Sequence, residues 1–283
     1  MTAAALLADA AATLAAAGVE APEWDAERLL RHVLGWDRAA LFANPDRAVP
    51  EPEAERFRAL LARRAAREPL QYILGTQAFW KHEFLVTPAV LIPRPETELL
   101  VETSLELLKG VEAPIVVDVG TGSGCVALSL ALERPDAVVH ATDISGQALD
   151  VARENARRFD LEGRVAFHQG QLLEPRSGLE GHLVVSNPPY VDPAEREALA
   201  PEVRDHEPER ALFPPGDALS VYRRLVPASA RLLRAGGALA VEISPSIPRD
   251  VARIFAAAGF VDATVRADLA SLPRVVFGRL PVG

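Results

Sequence analysis

Ile115-Val116-Val117-Asp118-Val119-Gly120-Thr121-Gly122-Ser123-Gly124 decides the fold of this 283-residue chain. A β-branched run with little polar alternation is what a strand covered on both faces requires. It ends in three glycines at alternate positions, which let the backbone turn tightly and let a ligand approach the main chain directly. A helix is predicted to follow at once, over about 124–133. Strand, glycine loop and helix together open an α/β unit whose ligands sit at the carboxyl ends of the strands. In the dinucleotide fingerprint the third glycine comes one residue later. The spacing here suits a nucleoside better than a pyrophosphate and argues against a dehydrogenase.

Working downstream, strands and helices alternate. Strands are expected at about 115–119, 138–142, 164–168, 182–186, 237–243, 260–266 and 274–279, with helices at about 146–158, 217–234 and 248–258. The pattern predicts an open, doubly wound α/β sheet. Upstream, Leu91-Ile92-Pro93-Arg94-Pro95-Glu96-Thr97-Glu98 leads into a helix to about Lys109, opened by Pro95 and acidic residues in the first turn. Residues 76–95, with Phe79, Trp80 and Phe84, read as a hairpin linker. Residues 1–75 read as a small helical bundle that binds rather than catalyses: Leu6, Leu7, Ala10 and Leu14 recur at helical spacing, as do Leu29, Leu30, Val33 and Leu34. The domains expected are therefore 1–75, 76–95 and 96–283.

Three further places carry chemistry. Asp143 ends the second strand about 20 positions after the loop, where a carboxylate accepts both hydroxyls of a ribose; capping the next helix is the plainer role. Gln171 and Leu172 follow the third strand, where a side chain packs on a base and hydrogen-bonds its edge. Val184-Val185-Ser186-Asn187-Pro188-Pro189-Tyr190 ends the fourth strand. Two successive prolines remove two backbone donors, and Pro188 holds Asn187 extended. The Asn187 side-chain oxygen and the Pro188 carbonyl are then acceptors without an obligate donor, and Tyr190 adds a flat apolar face. Such a site suits a planar group carrying an NH₂, either an amide or an exocyclic amine.

Composition narrows the class. Apolar content of 49% with 24% charged residues is that of a globular protein. A net charge of −9 offers no general attraction to nucleic acid. Cys125, the single cysteine, excludes an internal disulfide and a cysteine-based zinc site, and points to the cytoplasm. It opens the helix after the glycine loop, a position that can activate a thiol, but it reads as a small buried residue. No metal site is expected, no run is long enough to span a bilayer, and the Ala-rich start lacks a signal peptide's basic region.

Taken in order, Gly120 to Gly124, Asp143 and Asn187-Pro188-Pro189-Tyr190 resemble a class I S-adenosylmethionine-dependent methyltransferase of the amino-methylating branch. With Glu68 to Ile73, Leu91 to Glu98, Pro201-Glu202-Val203-Arg204 and His206-Glu207-Pro208, nearly the whole chain resembles the HemK/PrmC family of release factor glutamine N5-methyltransferases. The resemblance implies a Rossmann-like, seven-stranded, mostly parallel sheet behind a helical substrate-binding domain. It implies that Gly120, Thr121, Gly122, Ser123, Gly124 and Asp143 hold the cofactor's methionine end and ribose, and that Gln171 and Leu172 border its adenine. Asn187 would touch cofactor and substrate, and Pro188, Pro189 and Tyr190 would complete a glutamine pocket. Asn187, Pro188 and Tyr190 are thus the catalytic candidates, with Arg94 and Glu96 added as residues that order the substrate loop. The chain departs from the family at Gln171, commonly acidic, at Leu172, often aromatic, and at Ser244, usually glycine.

The implied reaction moves a methyl group from S-adenosylmethionine to the glutamine of a Gly-Gly-Gln loop in a class I release factor, carried out by a cytoplasmic monomer without direct nucleic-acid or membrane contact. Ribosomal protein L3 is an alternative substrate, and a DNA or RNA adenine N6-methyltransferase uses the same tetrapeptide on a flipped base. A nucleoside-binding module without chemistry would not need both the glycine loop and Asn187. No general base emerges: His206 and Glu207 lie near in sequence, but the six histidines are scattered.

Overall fold

A computed structural model describes residues 1–176 and 178–282. They form two compact units, Met1–Thr76 with Ala200–His206, and Gln77–Leu199 with Glu207–Gly283.

The first unit is helical: α1 (Ala3–Ala16), α2 (Pro22–Leu34), α3 (Arg38–Ala43), α4 (Glu51–Ala65) and α5 (Leu70–Leu74). The starts obey capping chemistry. Thr2 Oγ1 accepts from Ala5 N at 3.2 Å, and Asp37 Oδ1 accepts from Ala40 N at 2.6 Å. Helices α1, α2 and α4 pack on one another through Leu6, Leu14, Leu29, Leu30, Phe57 and Leu61, the apolar stripes of the 3.6-residue period. Leu7, Val33 and Leu34 lie at the half-buried margin of that core. The later helix Pro201–His206 belongs to this unit through charge. Buried Arg64 reaches Asp25 at 2.7 Å and Glu202 at 2.9 Å, and Arg67 meets Glu202 at 2.6 Å.

The second unit opens with a two-stranded sheet of β1 (Thr76–Phe79) and β2 (His82–Leu85). A 3-10 turn at Pro95–Thr97 precedes α6 (Glu98–Leu107). The alternating part follows: β3 (Ile115–Val119), α7 (Cys125–Glu133), β4 (Val138–Asp143), α8 (Gly146–Arg158), β5 (Val165–Gln169) and β6 (Gly181–Ser186). After α9 (Pro201–His206), already placed with the first unit, come α10 (Glu209–Leu212), α11 (Ser220–Leu232), β7 (Leu233–Glu242), α12 (Pro248–Ala257), β8 (Val261–Ala267) and β9 (Pro273–Arg279).

The sheet order is β5-β4-β3-β6-β7-β9-β8. Strands β3 to β7 pair in parallel, while β9 runs antiparallel between β7 and β8. Successive residues of the central strands enter opposite cores: Val116, Leu183 and Val185 pack in one apolar cluster, Val117, Val119 and Val184 in the other. Both faces are covered, which is why these strands read as unbroken apolar runs. The chain winds outward from β3 through β4 to β5, then crosses back to β6 on the other side of β3. That reversal opens a crevice at the carboxyl ends of β3 and β6.

Candidate active site

A cavity of about 700 Å³ lies where the carboxyl ends of β3, β4, β5 and β6 meet, within the size range of small-molecule sites. Gly120, Thr121, Gly122, Ser123, Asp143, Gln171, Leu172, Asn187, Pro188, Pro189 and Arg94 all line it. Three other residues singled out in the sequence do not: Gly124, Tyr190 and Glu96.

The glycine loop is held from beneath. Gly120 N and Thr121 N donate to the Thr142 carbonyl at 2.8 and 3.0 Å. Gly120 and Gly122 take φ of +73° and +56°, and a Cβ at either would meet nothing within 4 Å, so the main chain is open to an approaching ligand. Gly124 differs: at φ +82° it precedes α7, and a Cβ there would stand 3.0 Å from Leu128 Cδ1 and 3.3 Å from Ala152 Cβ. It serves helix packing. Asn155, fully buried on α8, donates to the Ser123 carbonyl at 2.9 Å and exchanges two hydrogen bonds with the Leu85 backbone.

Two carboxyl groups face this loop. Asp143 accepts from Gly122 N at 3.0 Å and Ser145 N at 2.8 Å, and burial raises its pKa. It does not cap α8; Ser145 Oγ does, accepting from Ala148 N. Asp118 is 2% exposed and accepts from Thr121 Oγ1 at 2.7 Å and Ala127 N at 3.2 Å. Burial pushes it up to about 7 against those hydrogen bonds. At the far wall, Leu172 takes φ +49° and its carbonyl accepts from Thr142 Oγ1 at 2.9 Å, while its side chain packs on the apolar cluster of β3 and β6. Cys125 is no nucleophile: burial and the Asp118 carboxylate push its thiol up to about 12.

The acceptor half is built at the end of β6. Ser186 Oγ donates to the Val119 carbonyl at 2.7 Å, tying this strand end to β3. Asn187 Nδ2 donates to Thr97 Oγ1 at 3.1 Å, so its Oδ1 is the end left to accept. Among the described residues no donor reaches Asn187 Oδ1 or the Pro188 carbonyl. Tyr190 turns away from the cavity: its hydroxyl donates to Glu242 Oε1 at 3.0 Å, and burial and that neighbour raise its pKa. Arg94 pairs with Glu207 at 2.5 Å, and Glu207 also accepts from Ile92 N at 3.2 Å, which makes the Arg94 loop a fixed wall. Glu96 is half-buried, 3.8 Å from Arg274.

Sequence reading missed Thr97, Asn155, Glu207 and Glu242 as parts of the site. Glu242 had a signal, being the one charged residue closing the apolar run Ala238 to Val241. Asn155 had none; one polar residue in an amphipathic helix is ordinary until its partners are seen. Among the described residues no group of three or more His, Cys, Asp or Glu stands together to hold a metal ion. No described helix is long and apolar enough to cross a membrane.

Comparison with known proteins places these features. Residues 5–75 match the PrmC N-terminal domain and residues 95–244 the methyltransferase small domain. The release factor glutamine methyltransferase of Geobacter sulfurreducens is 44% identical over 267 residues, covering 94% of this chain and 93% of that protein. The Moorella thermoacetica protein of the same name is 48% identical, covering 84% and 83%. Among solved structures, the T. thermophilus 16S rRNA N2 G1207 methyltransferase in complex with AdoMet and guanosine matches with a TM-score of 0.54 at 19% identity, over 72% of this chain and 49% of that one. That likeness concerns the fold.

Proposed function

The chain belongs to the family of release factor glutamine methyltransferases, and from that premise we propose how its site performs the reaction. The substrate is the side-chain amide of the glutamine in the Gly-Gly-Gln loop of a class I release factor, and the methyl donor is S-adenosylmethionine. The observation that carries the reading is the pair of acceptors without donors, Asn187 Oδ1 and the Pro188 carbonyl, on the wall of a cavity that also holds the glycine loop.

The cavity suits the cofactor. Its size, the open main chain at Gly120 and Gly122 and the Asp143 carboxylate beside them are what a nucleoside with a short charged tail requires. Gly120 to Ser123 would hold the methionine end, Asp143 the ribose, and Leu172 with Gln171 the adenine. Bound S-adenosylmethionine supplies an electrophilic methyl group on a sulfonium.

An amide nitrogen is a poor nucleophile because its lone pair is delocalised into the carbonyl. Asn187 Oδ1 and the Pro188 carbonyl each accept one N–H of the substrate amide. Together they fix the direction of the nitrogen and stabilise the positive charge that grows on it. Neither acceptor must reorganise, since Pro188 lies in a two-proline turn and Asn187 is held by Thr97. No side chain of the site acts as general base in this scheme; the proton leaves the methylated amide to water. Tyr190 supports the turn through Glu242 rather than lining the pocket. The helical residues 1–75 hold the body of the release factor, and the enzyme works as a cytoplasmic monomer, in keeping with its single cysteine and its net charge of −9.

Asn187→Ala tests the reading. Loss of one acceptor to a developing charge lowers kcat by on the order of a hundredfold and leaves S-adenosylhomocysteine affinity within a few-fold. Unchanged turnover would remove Asn187 from the mechanism.

A further inference from the structure

The substrate glutamine follows two residues that have no side chains. A Gly-Gly pair can be read only through its main chain, and its carbonyl oxygens call for donors. The cavity has a wall of that kind, built by the stretch 208–224. Val191 N donates to the Leu212 carbonyl at 3.0 Å, which ties this stretch to the chain just past Tyr190. The stretch ends in the first turn of α11, and Asp217 fixes where that helix starts. Leu219 N donates to the Asp217 carboxylate at 3.1 Å, Ser220 N to its carbonyl at 2.9 Å, and Arg223 Nη1 to its carboxylate at 2.7 Å. Tyr222, fully buried, anchors the turn by donating its hydroxyl to the Glu242 carbonyl at 2.7 Å.

Ser220 and Arg224 stand four residues apart on the side of α11 turned away from Tyr222, Leu225 and Val226, and both line the cavity. Ser220 Oγ is a buried oxygen without a hydrogen-bond partner, and a buried hydroxyl left unpaired is costly. Arg224 is exposed and, among the described residues, makes no hydrogen bond or ion pair, while its neighbour Arg223 is spent on Asp217. No carboxylate of the stretch lines the cavity. Arg210 lines it too, but its charge acts on the Asp143 carboxyl, which burial raises and Arg210 lowers, so it belongs with the cofactor half.

We infer that Ser220 and Arg224 form a subsite that binds the main-chain carbonyls of the two glycines before the methylated glutamine. The inference rests on the functional reading given above. A guanidinium carries five donors and no acceptor, and a serine hydroxyl adds one more donor. Acceptors at Asn187 and Pro188 take the NH₂ of the glutamine, and donors on α11 take the peptide oxygens beside it. Held at both places, the side chain is fixed along the cavity as well as in direction. The cofactor's carboxylate is an oxygen of other origin that the same donors could take, and the experiment separates the two.

The experiment uses the full chain and a purified class I release factor. Two further factors, built by ligation, carry a thioamide in place of the carbonyl of one or the other loop glycine, since sulfur accepts hydrogen bonds poorly. The readouts are kcat and KM for methylation and the affinity for S-adenosylhomocysteine. Arg224→Met keeps the length of the side chain and removes every donor. It should raise KM for the factor roughly ten- to a hundredfold, the scale of hydrogen bonds to a charged group, and leave kcat within about twofold. Ser220→Ala should raise KM about three- to tenfold, the scale of a neutral hydrogen bond. Arg224→Lys, which restores charge and donors, recovers part of the loss. Melting temperature and S-adenosylhomocysteine affinity stay at wild-type values in all three. At least one thioamide factor should show a raised KM with the wild-type chain, and that increase should vanish with Arg224→Met, the mark of a direct contact. If the wild-type chain methylates the factor but KM is unmoved in Arg224→Met, or neither thioamide matters, the inference is overturned and the function stands. The same holds if S-adenosylhomocysteine affinity falls with KM, for the donors then serve the cofactor's carboxylate. If the wild-type chain does not methylate the factor at all, the functional reading fails first and the inference with it.

Discussion

Asp118 and Glu242 each sit near the carboxyl end of a strand with a carboxyl group held out of water, and burial pushes both up to about 7. The consequence is a stability that depends on pH. In the unfolded chain these groups ionise near their ordinary values of 3.8 and 4.5. Between those values and about 7 the folded protein keeps protons that the unfolded chain has already lost. Their contribution is therefore fully present below the unfolded values and is lost as pH rises through the folded ones. Asp118→Asn keeps an oxygen for Thr121 Oγ1 and Ala127 N but cannot ionise. The melting temperature of Asp118→Asn minus that of the wild type should rise steadily from pH about 4 to about 7 and then level off. A difference that stays flat across this range would mean that Asp118 is ionised in the folded protein.

At the scale of elements, the glycine loop joins two kinds of glycine that look alike in sequence. Gly124→Ala forces a Cβ into φ +82° and against Leu128 Cδ1 at 3.0 Å, so it should cost about 1–2 kcal/mol or more of folding stability. Gly122→Ala meets no neighbour and carries only the backbone penalty of about 1 kcal/mol, but its methyl group is added on the lining of the cavity proposed for the cofactor. Urea unfolding with S-adenosylhomocysteine titration separates them: the larger stability loss belongs to Gly124→Ala, the larger affinity loss to Gly122→Ala. Equal effects on both readouts would contradict the division. The same contrast shows what local sequence carries. All seven strands of the main sheet lie within a few residues of where the apolar runs put them, because doubly covered strands leave an unbroken signal. The helices α9 and α10, of six and four residues, left none; so short a helix owes its existence to tertiary partners such as Glu202 with Arg64 and Arg67. In the site, the Asn187 turn and the loop were legible because proline and glycine act on their own backbone. Thr97, Asn155 and Glu207 were not, because their roles come from partners 90, 70 and 113 positions away.

Across the whole molecule, the chain leaves the catalytic unit after Leu199, contributes α9 to the helical unit and returns at Glu207. The excursion is anchored within the helical unit by Glu202, whose carboxylate meets both Arg64 and Arg67. Glu202→Ala leaves the Nη2 end of the buried Arg64 without its carboxylate, with Asp25 and the Glu68 carbonyl as the partners that remain, and should cost roughly 2–3 kcal/mol, the scale of an unsatisfied charged hydrogen bond. Thermal unfolding of the full chain checks this, and a change within about 0.5 kcal/mol would mean that α9 is held by other means. Arg67→Ala should cost less, since Arg67 is the more exposed of the two arginines, at 25% against 8%.

Mass spectrometry of a class I release factor, incubated with the purified chain and S-adenosylmethionine, tests the central claim most directly. The account predicts the gain of one methyl group on the glutamine of the Gly-Gly-Gln loop. At equal, limiting incubation time that gain should fall by on the order of a hundredfold with Asn187→Ala and be absent when the loop glutamine is changed to alanine. Methylation of ribosomal protein L3 or of nucleic acid instead, with the release factor untouched, would contradict it.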